Sequence, residues 1–232
     1  MQLGIDIGNT RTKYFLYDNG KLIEKIFTFE SIPWEKIRKA AVVLTGTPGK
    51  ALENRLKNAT FPVLYVNQNI RLPFHIDYRS DTLGADRIAL TAGAKEIFGN
   101  NVLVIDAGTC ITYDYLDPLG TYKGGSISPG IRMRYKALHH FTKGLPLLTF
   151  DNLVPPLTGN STEQSVHSGV IHGILKEIEG IITAYRAQYP GVKVVLSGGD
   201  ADFLSESLKI KIFAIQKFLL AQGLKSILSL NT

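Results

Sequence analysis

The chain of 232 residues has one cysteine, one tryptophan and two methionines. A single cysteine excludes an internal disulfide and suits a reducing cytoplasm. Long apolar runs are missing: the run at 102–105 is far short of the roughly 20 residues that a membrane helix needs. The N-terminus has no basic region leading into a long apolar one, and Asp6 interrupts its first apolar stretch, so no secretory signal is expected. Basic runs of five or more are absent as well, although the net charge is +6. Residues 1–100 carry 14 Lys or Arg against 10 Asp or Glu, and the remainder 12 against 10. Charge spread this evenly argues against a nucleic-acid surface and for a mildly basic one suited to anionic small molecules. With 44% hydrophobic and 20% charged residues, the chain is neither disordered nor collagen-like. Its length suits one compact unit or two small lobes.

Residues 3–7 and 12–17 read as strands joined across Gly8-Asn9. Asp18-Asn19-Gly20 is a hairpin turn signal, and 22–29 reads as a third strand. A helix is expected from Ser31, with Pro33 in its first turn. Strands at 41–45 and 63–66 and a helix at 51–57 follow, which makes a mixed sheet. The pattern then restarts: 101–106 is a strand ending in Asp106-Ala107-Gly108-Thr109, 111–115 is its partner, and 121–123 begins the return. The Asp-x-Gly steps at Asp6 and Asp106 each close a strand and open a hairpin, a weak internal duplication. Two lobes are expected, 1–100 and 101–232, facing one another across a cleft. Helices are expected at 131–142, at 162–188 with Thr162 as N-cap, and at 218–228. A strand at 193–196 leads into Ser197-Gly198-Gly199-Asp200.

Five segments offer chemistry. In Asp6-Ile7-Gly8-Asn9-Thr10-Arg11-Thr12-Lys13, Gly8 allows close backbone approach and the Asn9 and Thr10 amides suit an anion. Asp6 offers a carboxylate to Mg²⁺, which keeps most of its other ligands from water and phosphate, and Lys13 a charge to phosphate. Asp106-Ala107-Gly108-Thr109 offers a second such turn. Ser197-Gly198-Gly199-Asp200 offers a flat backbone shelf for a planar base. Gly84-Ala85-Asp86-Arg87 places a proton acceptor beside a guanidinium fork. Gly124-Gly125-Ser126-Ile127-Ser128-Pro129-Gly130 reads as a rigid loop opening a helix. Cys110 reads as a small buried hydrophobe. The histidine pair His139-His140 reads as surface or interface residues, and His167 and His172 as helix-packing ones.

Taken in order, these segments with Gly159–Thr162 and the closing Phe218-Leu219-Leu220-Ala221-Gln222-Gly223-Leu224 resemble the type III pantothenate kinases, of the acetate and sugar kinase/Hsp70/actin superfamily. The resemblance implies an α/β fold of two ribonuclease H-like (actin-like ATPase) lobes with mixed sheets flanked by helices. It implies phosphorylation of pantothenate by ATP, the first step of coenzyme A biosynthesis, in a cytoplasmic homodimer with no nucleic-acid or membrane partner. By the same resemblance Asp86 is the catalytic proton acceptor. Gly84, Ala85, Asp86, Arg87, Tyr78 and Thr162 contact pantothenate. ATP lies against Asp6, Ile7, Gly8, Asn9, Thr10, Arg11, Thr12, Lys13, Thr109, Gly198 and Gly199. Asp6 is near Mg²⁺, and Asp106 holds a monovalent cation, K⁺ or NH₄⁺. Two alternatives are a catalytically inactive relative acting as a transcriptional accessory protein and another small-molecule kinase of the superfamily.

Overall fold

Alternating apolar residues at the start of the chain form a hairpin in the computed structural model, which describes residues 1–26 and 28–231. Strand β1 (Gln2–Ile7) pairs antiparallel with β2 (Thr12–Asp18), placing Asp6 opposite Lys13. Strand β3 (Lys21–Ile26) pairs with β2 after the turn at Asn19-Gly20, both of which have positive φ. The expected strand at 22–29 is therefore shorter. Phe27 lies outside the described residues, and Phe29 already begins a 3-10 turn. The helix expected from Ser31 does not form. Two 3-10 turns, Phe29–Ser31 and Trp34–Lys36, stand there instead. Pro33 is the cause, because the residue before a proline is pushed to extended backbone, and Ile32 is extended.

The chain then makes β4 (Lys39–Leu44), α1 (Lys50–Lys57), β5 (Val63–Tyr65), β6 (His75–Ile76) and α2 (Ala85–Phe98). Strands β7 (Val102–Ala107), β8 (Cys110–Leu116) and β9 (Thr121–Pro129) follow, then α3 (Ile131–Phe141) and α4 (Thr162–Gln188). Strand β10 (Lys193–Ser197), α5 (Ala201–Ser207), β11 (Ala214–Ile215) and α6 (Leu219–Leu230) complete it. Residues 124–129 belong to β9 rather than to the expected loop. Thr162 is the first residue of α4, and the cap is Ser161, whose Oγ accepts from the Gln164 amide.

The duplication suggested by the two Asp-x-Gly steps is present in the sheets. One has the order β3-β2-β1-β4-β5, the other β9-β8-β7-β10-β11 with β6 outside β9. In each, the hairpin's first strand pairs in parallel with the fourth, as β1 with β4 and β7 with β10. The loop contacts repeat too. A Cβ on Gly46, after β4, would lie 2.4 Å from Gly8 O, and one on Gly198, after β10, would lie 2.2 Å from Ala107 O.

The chain divides into two units. Unit 1 is Met1–Asn100, Asp114–Gly124 and Phe218–Thr232; unit 2 is Asn101–Tyr113 and Gly125–Lys217. On one face of the first sheet, Leu3, Ile5, Ile7, Tyr14, Leu16 and Val42 form a core closed by Leu52 and Leu56 of α1. Burying each large aliphatic side chain there contributes about 1.5–3 kcal/mol. The opposite face, with Gly4 and Asp6, is covered by α6: a Cβ on Gly4 would meet Tyr17 and Leu224. Tyr17 Oη donates to Ala221 O at 2.6 Å, and Lys39 Nζ donates to Leu228 O near the end of α6. Helix α6 packs on α2 backbone to backbone, since a Cβ on Gly223 would lie 1.7 Å from Ala89 O.

Candidate active site

Period-2 alternation sends Ile5 and Ile7 into the core and Asp6 to the helix-covered face. Its carboxylate is nearly buried, and Lys13 Nζ reaches Oδ2 at 2.9 Å from the facing position on β2. The turn beyond is closed by the Gly8 amide on Arg11 O. Thr45 and Gly46 both donate to Ile7 O, which ties the end of β4 to this loop. Among the described residues no three His, Cys, Asp or Glu side chains converge as a metal cage. One buried carboxylate is the donor set that fits Mg²⁺ arriving with a triphosphate.

Helix α2 opens with Gly84 as its N-cap and Asp86 in its first turn. Negative charge is favoured there by the helix dipole. The Arg87 amide donates to Asp86 Oδ1 at 2.9 Å. Burial nevertheless pushes the Asp86 carboxyl above the usual aspartate value, and the charge of Asp6 adds to the push. A carboxyl held so takes up a proton more readily than a free aspartate does.

Arg87 is buried, and its Nε donates to Asp114 Oδ1 at 2.7 Å. Tyr122 Oη donates to the same oxygen at 2.7 Å. Tyr78 packs against Tyr122 in a tilted pair with ring centroids 6.1 Å apart and lies against Gly124. Sequence reading missed Asp114 and Tyr122. The available signal was a carboxylate set between two tyrosines in an apolar strand, Ile111-Thr112-Tyr113-Asp114-Tyr115.

Asp6, Ile7, Gly8, Asn9, Thr10, Arg11, Thr12, Lys13, Tyr78, Gly84, Ala85, Asp86 and Arg87 thus belong to unit 1. Asp106, Thr109, Thr162, Gly198 and Gly199 belong to unit 2. There, Asp106, the last residue but one of β7, stands in register with Ser197 of β10. Gly198 has φ +98 and touches Ala107, while the Asp200 amide donates to Ala107 O. Gly130 donates to Thr109 O and has no room for a Cβ against Gly108 O. Three loops therefore meet through bare backbone. The buried Asp200 is held by Arg132 Nη1 at 2.7 Å. Thr162 is exposed. Cys110 is half-buried rather than fully buried. His167 bonds to Tyr135 Oη and His172 to Pro155 O, as packing residues do.

Two mixed sheets of the same strand order, in an α/β chain, make a fold of the actin-like ATPase type. At the level of fold alone, the structure is similar to the activator of 2-hydroxyisocaproyl-CoA dehydratase from Clostridium difficile, solved with bound ADPNP. That match has TM-score 0.53 and 15% identity, covering 97% of this chain and 92% of that one. A Baf family structure from Campylobacter jejuni is similar at TM-score 0.64 and 25% identity, covering 98% of this chain and 97% of that one. The family model for type III pantothenate kinases matches residues 33–184. A type III pantothenate kinase of Christiangramia forsetii is 43% identical over 243 residues, covering 100% of this chain and 99% of its own. The chain belongs to the type III pantothenate kinase family.

Proposed function

We propose that this chain transfers the γ-phosphoryl group of ATP to the primary alcohol of pantothenate, with Asp86 as proton acceptor. The observation that carries the reading is the match of the whole chain to type III pantothenate kinases, beside a largely buried Asp86 carboxyl in the first turn of α2. In the step, the alcohol oxygen forms a bond to the γ-phosphorus and the bond from that phosphorus to the β-bridging oxygen breaks. ADP leaves, and the alcohol proton passes to the Asp86 carboxylate and then to water. Transfer of this kind is mostly positioning and charge neutralisation.

In unit 1, the turn amides at Asn9 and Thr10 with Lys13 take the phosphates, and Ile7, Gly8, Arg11 and Thr12 shape their approach. Asp6 would hold Mg²⁺, which supplies charge neutralisation on the triphosphate. Gly84, Ala85, Arg87 and Tyr78 bound the pantothenate side of Asp86. In unit 2, Gly198 and Gly199 take the nucleoside, Thr109 a phosphate and Thr162 pantothenate. Asp106, an oxygen donor near the end of β7, would hold K⁺ or NH₄⁺, whose charge adds to that of Mg²⁺. The chain acts as a cytoplasmic homodimer, and the exposed Phe141, Leu147, Leu153 and Leu157 of unit 2 support a second copy covering them. Among the described residues no helix is long and apolar enough to cross a membrane. An accessory role without catalysis is not favoured, because Asp6, Lys13, Asp86, Asp106 and Thr109 all stand in place.

The test is ³¹P NMR of the purified chain with ATP, Mg²⁺ and pantothenate, with and without K⁺. A new phosphate monoester that requires pantothenate is the expected result. ADP formation independent of pantothenate under every cation, or none at all, would overturn the reading.

A further inference from the structure

We infer that Asp114 and Tyr122 are positioning residues for Asp86 and act on it through Arg87. The inference deepens the reading of Asp86 as proton acceptor and rests on it. It starts from one residue with two jobs. The backbone amide of Arg87 grips Asp86 Oδ1 at 2.9 Å, and the side chain of Arg87 is gripped in turn by Asp114 at 2.7 Å. Anchoring the guanidinium holds the side chain of the residue whose amide holds Oδ1 of Asp86. With Oδ1 held, the range over which the second oxygen can swing is narrowed.

Three elements converge to do this. Asp114, fully buried, comes from β8, Tyr122 from β9 and Arg87 from α2. Tyr122 Oη shares Oδ1 of Asp114 with Arg87 Nε, so one oxygen takes two donors and stands at a defined point between strand and helix. Tyr78 packs tilted against the Tyr122 ring and lies beside Gly124.

Stability alone is a poor reason for such a cluster. A buried ion pair gains little over well-packed apolar residues of the same volume, because desolvation offsets the Coulomb energy. What it does supply is direction: the planar guanidinium is held at Nε by a fully buried carboxylate, a charge-assisted hydrogen bond that fixes one point of the rigid fork. Direction matters most one residue away, where a displacement of about 1 Å in a catalytic group can cost about 100-fold in rate.

The test uses Tyr122→Phe, which keeps shape and charge, Asp114→Asn, and the double variant. The assays are steady-state kinetics and amide hydrogen exchange by NMR. Tyr122→Phe should lower kcat about 3–10-fold and Asp114→Asn about 30–100-fold, with KM for ATP within about twofold. The double variant should lose no more than Asp114→Asn alone, because Tyr122 acts through Asp114. Exchange at the Arg87 amide should speed up at least about fivefold in Tyr122→Phe, while the Leu90 amide stays unchanged. Additive losses, kcat within about twofold of wild type in Tyr122→Phe, or unchanged exchange at Arg87 would each overturn the inference. If Asp114→Asn does not fold, Tyr122→Phe decides by itself. If the wild type makes no phosphorylated pantothenate, the proposed function fails, and the exchange measurement still decides whether Tyr122 holds Arg87 on Asp86.

Discussion

Gly84 stands where any larger residue would displace Asp86: a Cβ built on it would lie 2.5 Å from Asp86 Oδ1. The backbone of Gly84 is ordinary, with φ −58 and ψ 134, so another residue could adopt it without strain. The atom in the way is the end of a side chain, which can swing aside at small cost in stability. Gly84→Ala therefore separates folding from chemistry. It is expected to melt within about 3 °C of wild type, roughly 1 kcal/mol at this chain length. Its kcat is expected to fall about 10–100-fold, because the carboxylate leaves its place. Thermal melts and steady-state kinetics on one preparation check both.

Gly198→Ala is the opposite case. Gly198 has φ +98, and its Cβ would lie 2.2 Å from Ala107 O, a backbone atom of the paired strand that cannot step aside. Left-handed strain and overpacking together cost about 2–4 kcal/mol. The expected result is a melting temperature lower by about 5–15 °C, read by calorimetry, with ATP binding weakened in the fraction that stays folded.

Lys13→Met removes the partner of the nearly buried Asp6 and a positive charge from the loop proposed to take the phosphates. Binding of ATP should weaken about 10-fold or more, and Lys13→Arg should restore part of it, because the charge rather than the shape of the ammonium carries the contact. Titration calorimetry with a non-hydrolysable ATP analogue reads both values. Equal affinity in Lys13→Met and wild type would remove Lys13 from the nucleotide site.

The raised proton affinity of Asp86 has a sign that can be worked out. Between its unfolded and folded titrations the native state binds more protons than the unfolded state, so this group makes unfolding easier as pH rises. Replacing it with a neutral isostere removes that penalty. Asp86→Asn should therefore be more stable than wild type at neutral pH. The gain should vanish as pH falls through the ordinary aspartate range, where both states are protonated. Urea titrations at several pH values check it, and a variant less stable at neutral pH would contradict it.

Local signals predicted much of this fold. The β1–β2 hairpin follows from alternation plus Gly8, and α4 starts and stops within a residue of its sequence signals, because caps act on immediate neighbours. Two segments went differently, each because a local preference lost to its surroundings. Pro33 looked like a helix start but forced Ile32 extended, leaving only 3-10 turns. The glycines at 124 and 125 looked like a loop, yet β9 runs on to Pro129 beside β8. The site divides the same way. Asp6, Lys13 and Asp86 stand in short motifs with their own signals. The Arg87–Asp114 bond joins residues 27 positions apart, a pairing that only the packed strands and helix bring about.

Pantothenate-dependent ADP release by wild type and by Asp86→Asn, with nucleotide affinity measured alongside, tests the central claim most directly. Loss of a general base costs about 100- to 10,000-fold in rate. Asp86→Asn should show that loss while binding ATP as wild type does. Turnover within a few-fold of wild type in a folded Asp86→Asn chain would contradict the account.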